Sequence, residues 1–171
     1  MRTPEPQCWL HPEVVVQPSP IAGRGLFAAA PIAAGTVVSR LGGRLVDTAT
    51  LRALMTAGEE YVDTIIVAED THLVLAAGSD NRFGNHGCDP NLGFADEYSL
   101  VTLVDVAAGE ELLVDYAMST TDPAYYLRCH CPSYRCRQMV EGTDWRIPQL
   151  QQRYAGRWAP AVQELITKSQ S

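Results

Sequence analysis

Three thiols fall within eight residues of one another late in this 171-residue chain, at Cys129, Cys131 and Cys136. In a cytosolic protein such a cluster reads as a set of metal ligands before it reads as a disulfide with one spare thiol. A closed structural zinc site uses four tetrahedral thiolate or imidazole ligands, so the local set is one short. His130 lies between two of the cysteines and points away if both of them ligate. A distant thiol is the better fourth ligand, and Cys8 or Cys88 could supply it. Either choice pins a remote part of the chain to this loop.

One of those two thiols sits in the most unusual stretch of the sequence. Residues 81–91 read N-R-F-G-N-H-G-C-D-P-N and show neither the strand nor the helix period in their apolar residues. Gly84, Gly87 and the Asp89-Pro90-Asn91 run mark irregular backbone. Amide, imidazole and thiol groups packed on such backbone are what a ligand-contacting loop requires; in isolation, a polar surface turn accounts for them as well.

The rest of the chain predicts many short strands and few helices. Strands are expected at 14–16, 36–41, 44–46, 61–67, 73–75, 98–106 and 112–116, separated by Gly and Pro turns. Asp47 is placed to cap a helix with Leu51, Leu54 and Met55 on one face and Gly58 at its stop. Residues 123–127 suggest a helical turn, and Pro148 and Pro160 each open a helix. Trp145, Tyr154 and Trp158 read as core. Residues 1–13 are polar and Pro-rich and read as a loose arm. With 46% hydrophobic and 19% charged residues, this is one soluble globular domain with a small appendage. The net charge of −7 argues against nucleic acid as a direct partner and favours basic peptides. No apolar run reaches the roughly 18 to 20 residues that span a membrane. Residues 1–20 lack the apolar centre of a signal peptide, so a cytoplasmic location is expected.

Two further segments carry polar groups at defined places. Gly23-Arg24-Gly25 is a glycine turn that lacks the continuation of a phosphate cradle, yet suits close approach of backbone to another ligand. Gly109-Glu110-Glu111-Leu112-Leu113-Val114-Asp115-Tyr116 leads from a turn into an apolar run that ends in a polar pair.

In this order, the four pieces resemble the SET domain of protein-lysine methyltransferases. Residues 23–27 resemble its G-x-G motif. Arg82, Phe83, Asn85, His86, Cys88, Pro90 and Asn91 match its R-F-x-N-H-x-C-x-P-N signature, and residues 109–116 match G-E-E-L-x-x-D-Y. Cys129, Cys131 and Cys136 match the C-x-C-x4-C of a post-SET zinc loop. The resemblance implies a mainly β fold with short helices, a β-clip of several small sheets with a knot-like C-terminal crossing. It divides the chain into an arm (1–13), the SET domain (14–118), a zinc-binding segment (119–140) and a helical tail (141–171). It also implies S-adenosylmethionine as methyl donor, contacted at Arg24, Gly25, Leu26, Asn85, His86 and, less securely aligned, Tyr61. Tyr116 matches the catalytic tyrosine, and Cys88 matches the fourth ligand of a structural zinc. The implied activity is methyl transfer to the side-chain amine of a lysine in a protein or peptide.

The chain departs from the family at two places. Leu41-Gly42-Gly43 stands where many members have Y-x-G-E, and Val114 stands where many have Phe or Tyr. Both bear on the wall of the lysine channel and so on the number of methyl groups added. They also favour the alternative of a catalytically weak or inactive SET-like module that holds a peptide or cofactor. The compact, Ala-rich chain suggests a small bacterial member.

Overall fold

The computed structural model describes residues 2–58 and 62–170. In chain order the strands begin with β1 (Trp9–Leu10), β2 (Val14–Pro18), β3 (Arg24–Ala28), β4 (Val37–Arg40) and β5 (Gly43–Val46), followed by the helix α1 (Thr48–Thr56). Then come β6 (Thr64–Ala68), β7 (Thr71–Leu75), β8 (Leu92–Phe94), β9 (Ser99–Thr102), β10 (Tyr126–Arg128) and β11 (Met139–Glu141). Two helices, α2 (Pro148–Arg153) and α3 (Pro160–Ser169), close the chain. Among the described residues these strands form small antiparallel sheets ordered β1-β4-β9-β8, β2-β3, β5-β7-β6 and β10-β11.

The sheets are short because Gly and Pro interrupt nearly every apolar run. All but the β10-β11 pair share one core, in which Val38, Leu73, Leu92, Val106, Leu112 and Met118 are almost wholly buried, while Val140 of β11 packs with Cys88, Cys129 and Cys131. Asp47 caps α1 as expected, its carboxylate accepting from Thr50 N at 2.7 Å, and Ala57 is the C-cap, so the helix stops directly before Gly58. Trp145, Tyr154 and Trp158 join the core, and α3 packs on β6. Backbone bonds from Phe94 N to Arg157 O (2.9 Å) and from Ala159 N to Met118 O (3.0 Å) tie the tail to the strands.

Three expectations fail for non-local reasons. Residues 112–116 form no ladder strand. Their backbone instead crosses between the limbs of one loop, with Val114 bridged in parallel to both His86 and Leu92. The apolar run expected as one long strand at 98–106 forms a ladder only over β9, then bends away and pairs again only at Val106, in an isolated bridge to Ile32. Residues 126–128 are a strand, not a helical turn, because their partner β11 lies beyond the cysteine loop.

The arm is docked. Trp9 and Leu10 pair with β4, Gly43 N donates to Glu5 O at 2.8 Å, and Arg2 meets Asp96 at 2.9 Å. A side chain at Gly42 would collide with the Gln7 carbonyl, so glycine there admits the arm. Asn81 fastens it: the buried amide nitrogen donates to Ser39 Oγ at 2.7 Å and to Trp9 O at 3.0 Å, while its oxygen accepts from Ser79 Oγ at 2.9 Å. Removing that amide strands buried partners at about 1–3 kcal/mol. We expect Asn81→Ala to lose stability of that order in denaturant titration and to open residues 2–10 to limited proteolysis; unchanged cleavage would show that the arm is held elsewhere.

Candidate active site and cysteine cluster

The crossing at residues 111–114 builds the site. Its backbone bonds on one side through Val114 N to Asn85 O (3.2 Å) and Gly87 N to Val114 O (3.1 Å). On the other side Leu92 N donates to Leu113 O at 3.0 Å. Asn91 completes that side: its oxygen accepts from Leu113 N and its nitrogen donates to Glu111 O, both at 2.8 Å. The polar 81–91 stretch is thus a collar around an extended segment, which explains why it needs amides and tolerates no periodic pattern.

Beyond the collar the chain turns sharply into a 3-10 turn at Tyr116–Met118, capped by Asp115, whose Oδ1 accepts from Ala117 N at 3.0 Å. The Tyr116 hydroxyl donates to Gly84 O at 2.8 Å. That carbonyl engages the phenol's one O–H donor, and a phenol oxygen can accept as well as donate. Tyr116 also lines a cavity of about 340 Å³ whose walls include Leu41, Phe94, Leu100 and Val114 and whose rim includes Asp63, Arg82 and Asp122. Burial raises the Asp63 carboxyl above its usual range, an effect opposed by Arg82.

Arg24, Gly25, Leu26, Asn85 and His86 lie outside that cavity's lining. Of these, Asn85 meets Arg24 and Gly25 at the Gly23–Gly25 turn. Asn85 Nδ2 donates to Arg24 O (2.9 Å), Ala22 O (3.2 Å) and Glu111 Oε1 (2.8 Å), and the other Glu111 oxygen accepts from Ser19 Oγ at 3.0 Å. A side chain at Gly25 would collide with the Glu111 carboxylate and crowd Asn85. Any larger residue there would displace the Glu111 carboxylate from the protein's own brace. The exposed Arg24 guanidinium stacks over Phe83 at 4.5 Å, and the Leu26 side chain is buried in the core. Tyr61 lies outside the described residues.

The His86 ring is buried and faces inward. Its Nδ1 accepts from Tyr116 N at 3.2 Å, so Nε2 carries the proton and donates to Cys88 Sγ at 3.2 Å. Burial lowers its pKa to about 4 despite the nearby Asp115. The 3.6 Å approach of Nδ1 to Asp115 is accordingly a contact with a neutral ring.

The Sγ atoms of Cys88, Cys129, Cys131 and Cys136 lie within 4.8 Å of one another, with Cys88 and Cys129 at 3.8 Å. Four sulfurs about 2.3 Å from one zinc would stand about 3.8 Å apart, so the set fits. Backbone N–H groups of Arg137, Cys131 and Gln138 point at Cys88, Cys129 and Cys136 at 3.3–3.4 Å, as donors to thiolates do. Burial pushes the Cys88 thiol up to about 11 and Cys129 up as well, so a cation is what would hold these sulfurs ionised. Cys8 is excluded from the set, because its sulfur lies 3.2 Å from both the nitrogen and the oxygen of Gly42. His130 is exposed.

Comparison with known families decides the fold's kinship: the SET domain family matches residues 23–117. The chain belongs to the SET-domain family. Over 147 residues (75% of this chain, 6% of the relative) it is 29% identical to the protein named histone-lysine N-methyltransferase ash1 of Drosophila melanogaster. Over 138 residues (71% and 3%) it is 32% identical to histone-lysine N-methyltransferase trithorax of Drosophila virilis. Over 143 residues (74% and 5%) it is 30% identical to human histone-lysine N-methyltransferase 2B. The chain thus spans only a small part of each of these relatives.

Within this SET domain the mainly β architecture, the small sheets and the crossing are as expected. The structure brings together the four thiols and places Tyr116 between the cavity and the Asn85 collar. Sequence reasoning passed over Arg137 and Asp144, read Tyr154 only as core and took Asp115 only as part of a motif; the four form a buried polar set beside Tyr116. Its one sequence signal is an arginine directly after the last cysteine. For the thiols, we expect about one zinc per chain by metal analysis, with Cys88→Ser losing it as readily as Cys131→Ser. Full metal content in Cys88→Ser would remove Cys88 from the set.

Proposed function

We propose that this SET domain transfers a methyl group from S-adenosylmethionine to the side-chain amine of a lysine in a protein substrate. The observation that carries the reading is the position of Tyr116, whose phenol is fixed on Gly84 O at the wall of an apolar cavity and beside the Asn85–His86 limb of the collar. The relatives named as histone-lysine methyltransferases support it.

The residues suit a division of labour. The braced Gly23–Gly25 turn, with the Arg24 guanidinium exposed beside it, and the backbone at Leu26, Asn85 and His86 would hold the cofactor. Asn85 serves chiefly by keeping that turn in shape. Cofactor, when bound, supplies a methyl on a positively charged sulfur; its transfer to an amine nitrogen leaves a neutral thioether and releases one proton. On the other side, the apolar walls at Leu41, Phe94 and Leu100 take the lysine stem and strip water from its amine. Holding a lysine amine neutral at pH 7 costs about 5 kcal/mol from its ordinary pKa of about 10.4. Burial beside positive charge lowers that pKa. The Tyr116 oxygen, its O–H held in a hydrogen bond to Gly84 O, accepts from an amine N–H and aims the lone pair; alignment of this kind supplies most of the catalysis when the leaving group is already good. The attacking amine is already neutral and the methylated product can give its proton to solvent, so no side chain is needed as a general base.

Val114 and Leu41 leave aliphatic walls where an aromatic ring would narrow the space, so we assign the cavity room for more than one methyl. The chain's net charge of −7 and the rim carboxylates Asp63 and Asp122 favour lysines in basic segments. The four thiols form a structural zinc site in this reading, and the metal stands apart from the reacting atoms.

Radiolabelled methyl transfer to a basic peptide mixture, with mass spectrometry of the product, tests the proposal. Tyr116→Phe should retain cofactor binding by calorimetry and lose about 10²-fold or more in turnover. Asn85→Ala should weaken cofactor binding at least about tenfold, the turn having lost its brace. Cofactor binding without transfer to any lysine by the unaltered protein would favour a peptide-holding module instead. Turnover should also rise with pH and level off below pH 10.4, since burial lowers the amine pKa; a flat profile from pH 6 to 10 would contradict neutral-amine attack.

A further inference from the structure

Asp115 is the most deeply enclosed charge described. Its carboxylate has no exposure, and it sits one residue before Tyr116. Arg137 grips it with two parallel bonds, Nη1 to Oδ2 at 2.7 Å and Nη2 to Oδ1 at 2.8 Å. The Tyr154 hydroxyl adds a third donor at 2.9 Å. Arg137 is itself fixed, its Nε donating to Asp144 Oδ2 at 2.9 Å. Burial works against ionisation of Asp115, but these bonds outweigh it and keep the carboxyl below its usual range.

Arg137 also belongs to the cysteine loop. It follows Cys136, and its backbone N–H points at Cys88 Sγ at 3.3 Å. Gln138, next in sequence, stands at φ 61, a left-handed conformation that turns the chain back into β11. One residue thus touches the thiol set with its main chain and the tyrosine segment with its side chain. The Asp115 oxygen gripped by Nη2 is the same Oδ1 that caps Ala117 N and so shapes the 3-10 turn that begins at Tyr116.

We propose that Arg137 is a positioning residue that couples closure of the cysteine loop to the orientation of Tyr116. With the loop closed, the guanidinium holds the Asp115 carboxylate in the plane that caps the turn, and the phenol stays on Gly84 O. With the loop open, the grip is withdrawn and the turn loosens, although no thiol touches the tyrosine. The fork geometry matters, because an ammonium presents a point charge that cannot hold both oxygens in one plane. The catalytic part of this inference rests on the methyl-transfer reading; the mechanical part does not.

The test uses the full chain as Arg137→Lys and Arg137→Met, each loaded with zinc, and reads hydrogen exchange in the peptide covering residues 112–118. Both variants should keep one zinc per chain. Arg137→Lys should remain folded at the assay temperature, with exchange over 112–118 raised about tenfold and turnover lowered about tenfold at an unchanged cofactor KM. Chelation of the unaltered protein should raise exchange over the same peptide, and chelation of Arg137→Met should add clearly less than it adds to the unaltered protein, since perturbations of a shared link are not additive and only the His86 tie between Cys88 and Tyr116 N is left to lose. Additive effects, unchanged exchange in both variants, or loss of zinc from Arg137→Lys at saturating metal would overturn the coupling. Normal turnover by a folded Arg137→Lys would reduce Arg137 to a structural role. If the unaltered protein transfers no methyl at all, the exchange measurements still decide the mechanical claim, and only the functional reading falls.

Discussion

Backbone at residues 111–114 is hydrogen-bonded on both sides by the limbs of a single loop, and the rest of the structure depends on that enclosure. An extended segment has two edges, each with donors and acceptors that must be satisfied once water is excluded. Here β3 reaches only the start of the segment, through Leu112 N to Leu26 O at 2.7 Å and the Phe27–Glu111 bridge. One polar loop supplies Asn85 and Gly87 on one side and Asn91 and Leu92 on the other. Because the partners come from both ends of the loop, the segment cannot slip without breaking bonds to each. Tyr116 therefore leaves the collar at a fixed height, against Gly84 O and the cavity wall.

The enclosure also explains why so many conspicuous polar side chains are turned inward. Asn85, Asn91, Glu111 and Ser19 are spent on holding backbone, and the His86 ring joins Tyr116 N to the Cys88 thiol. A cofactor would meet the backbone surface that these groups shape. Such a site is rigid before anything binds, and a rigid site loses little conformational entropy on binding.

What could be read in advance was whatever a short motif dictates by spacing. The four thiols, the collar residues and the Asp115–Tyr116 corner were legible because each needs particular side chains at fixed offsets. The 112–116 run looked like a sheet strand because its apolar residues satisfy a strand's local preferences; only the loop that claims its edges distinguishes a crossing from a ladder. Likewise 123–127 looked helical because the partner of β10 lies 11 or more residues on, across the cysteine loop. The arm looked loose because its Pro-rich, polar composition gives no sign that Asn81 and Gly42 prepare a berth for it. Arg137 was illegible for a similar reason, since an arginine in a turn is ordinarily solvated and its burial depends on Asp115 and Asp144 arriving from elsewhere.

The collar sets the order in which the fold can be completed. Asn85–Leu92 precedes 111–114 in the chain, so the enclosing loop is made before the segment it must enclose. It can wait open, or it can close empty and have to reopen. The cysteines that tether Cys88 come later still, at 129–136. A thiol cluster that closes last lets the segment enter first and then bars its exit. On this view the late position of the three cysteines protects assembly as well as the finished protein: placed earlier in the chain, the same clamp would shut the collar on nothing.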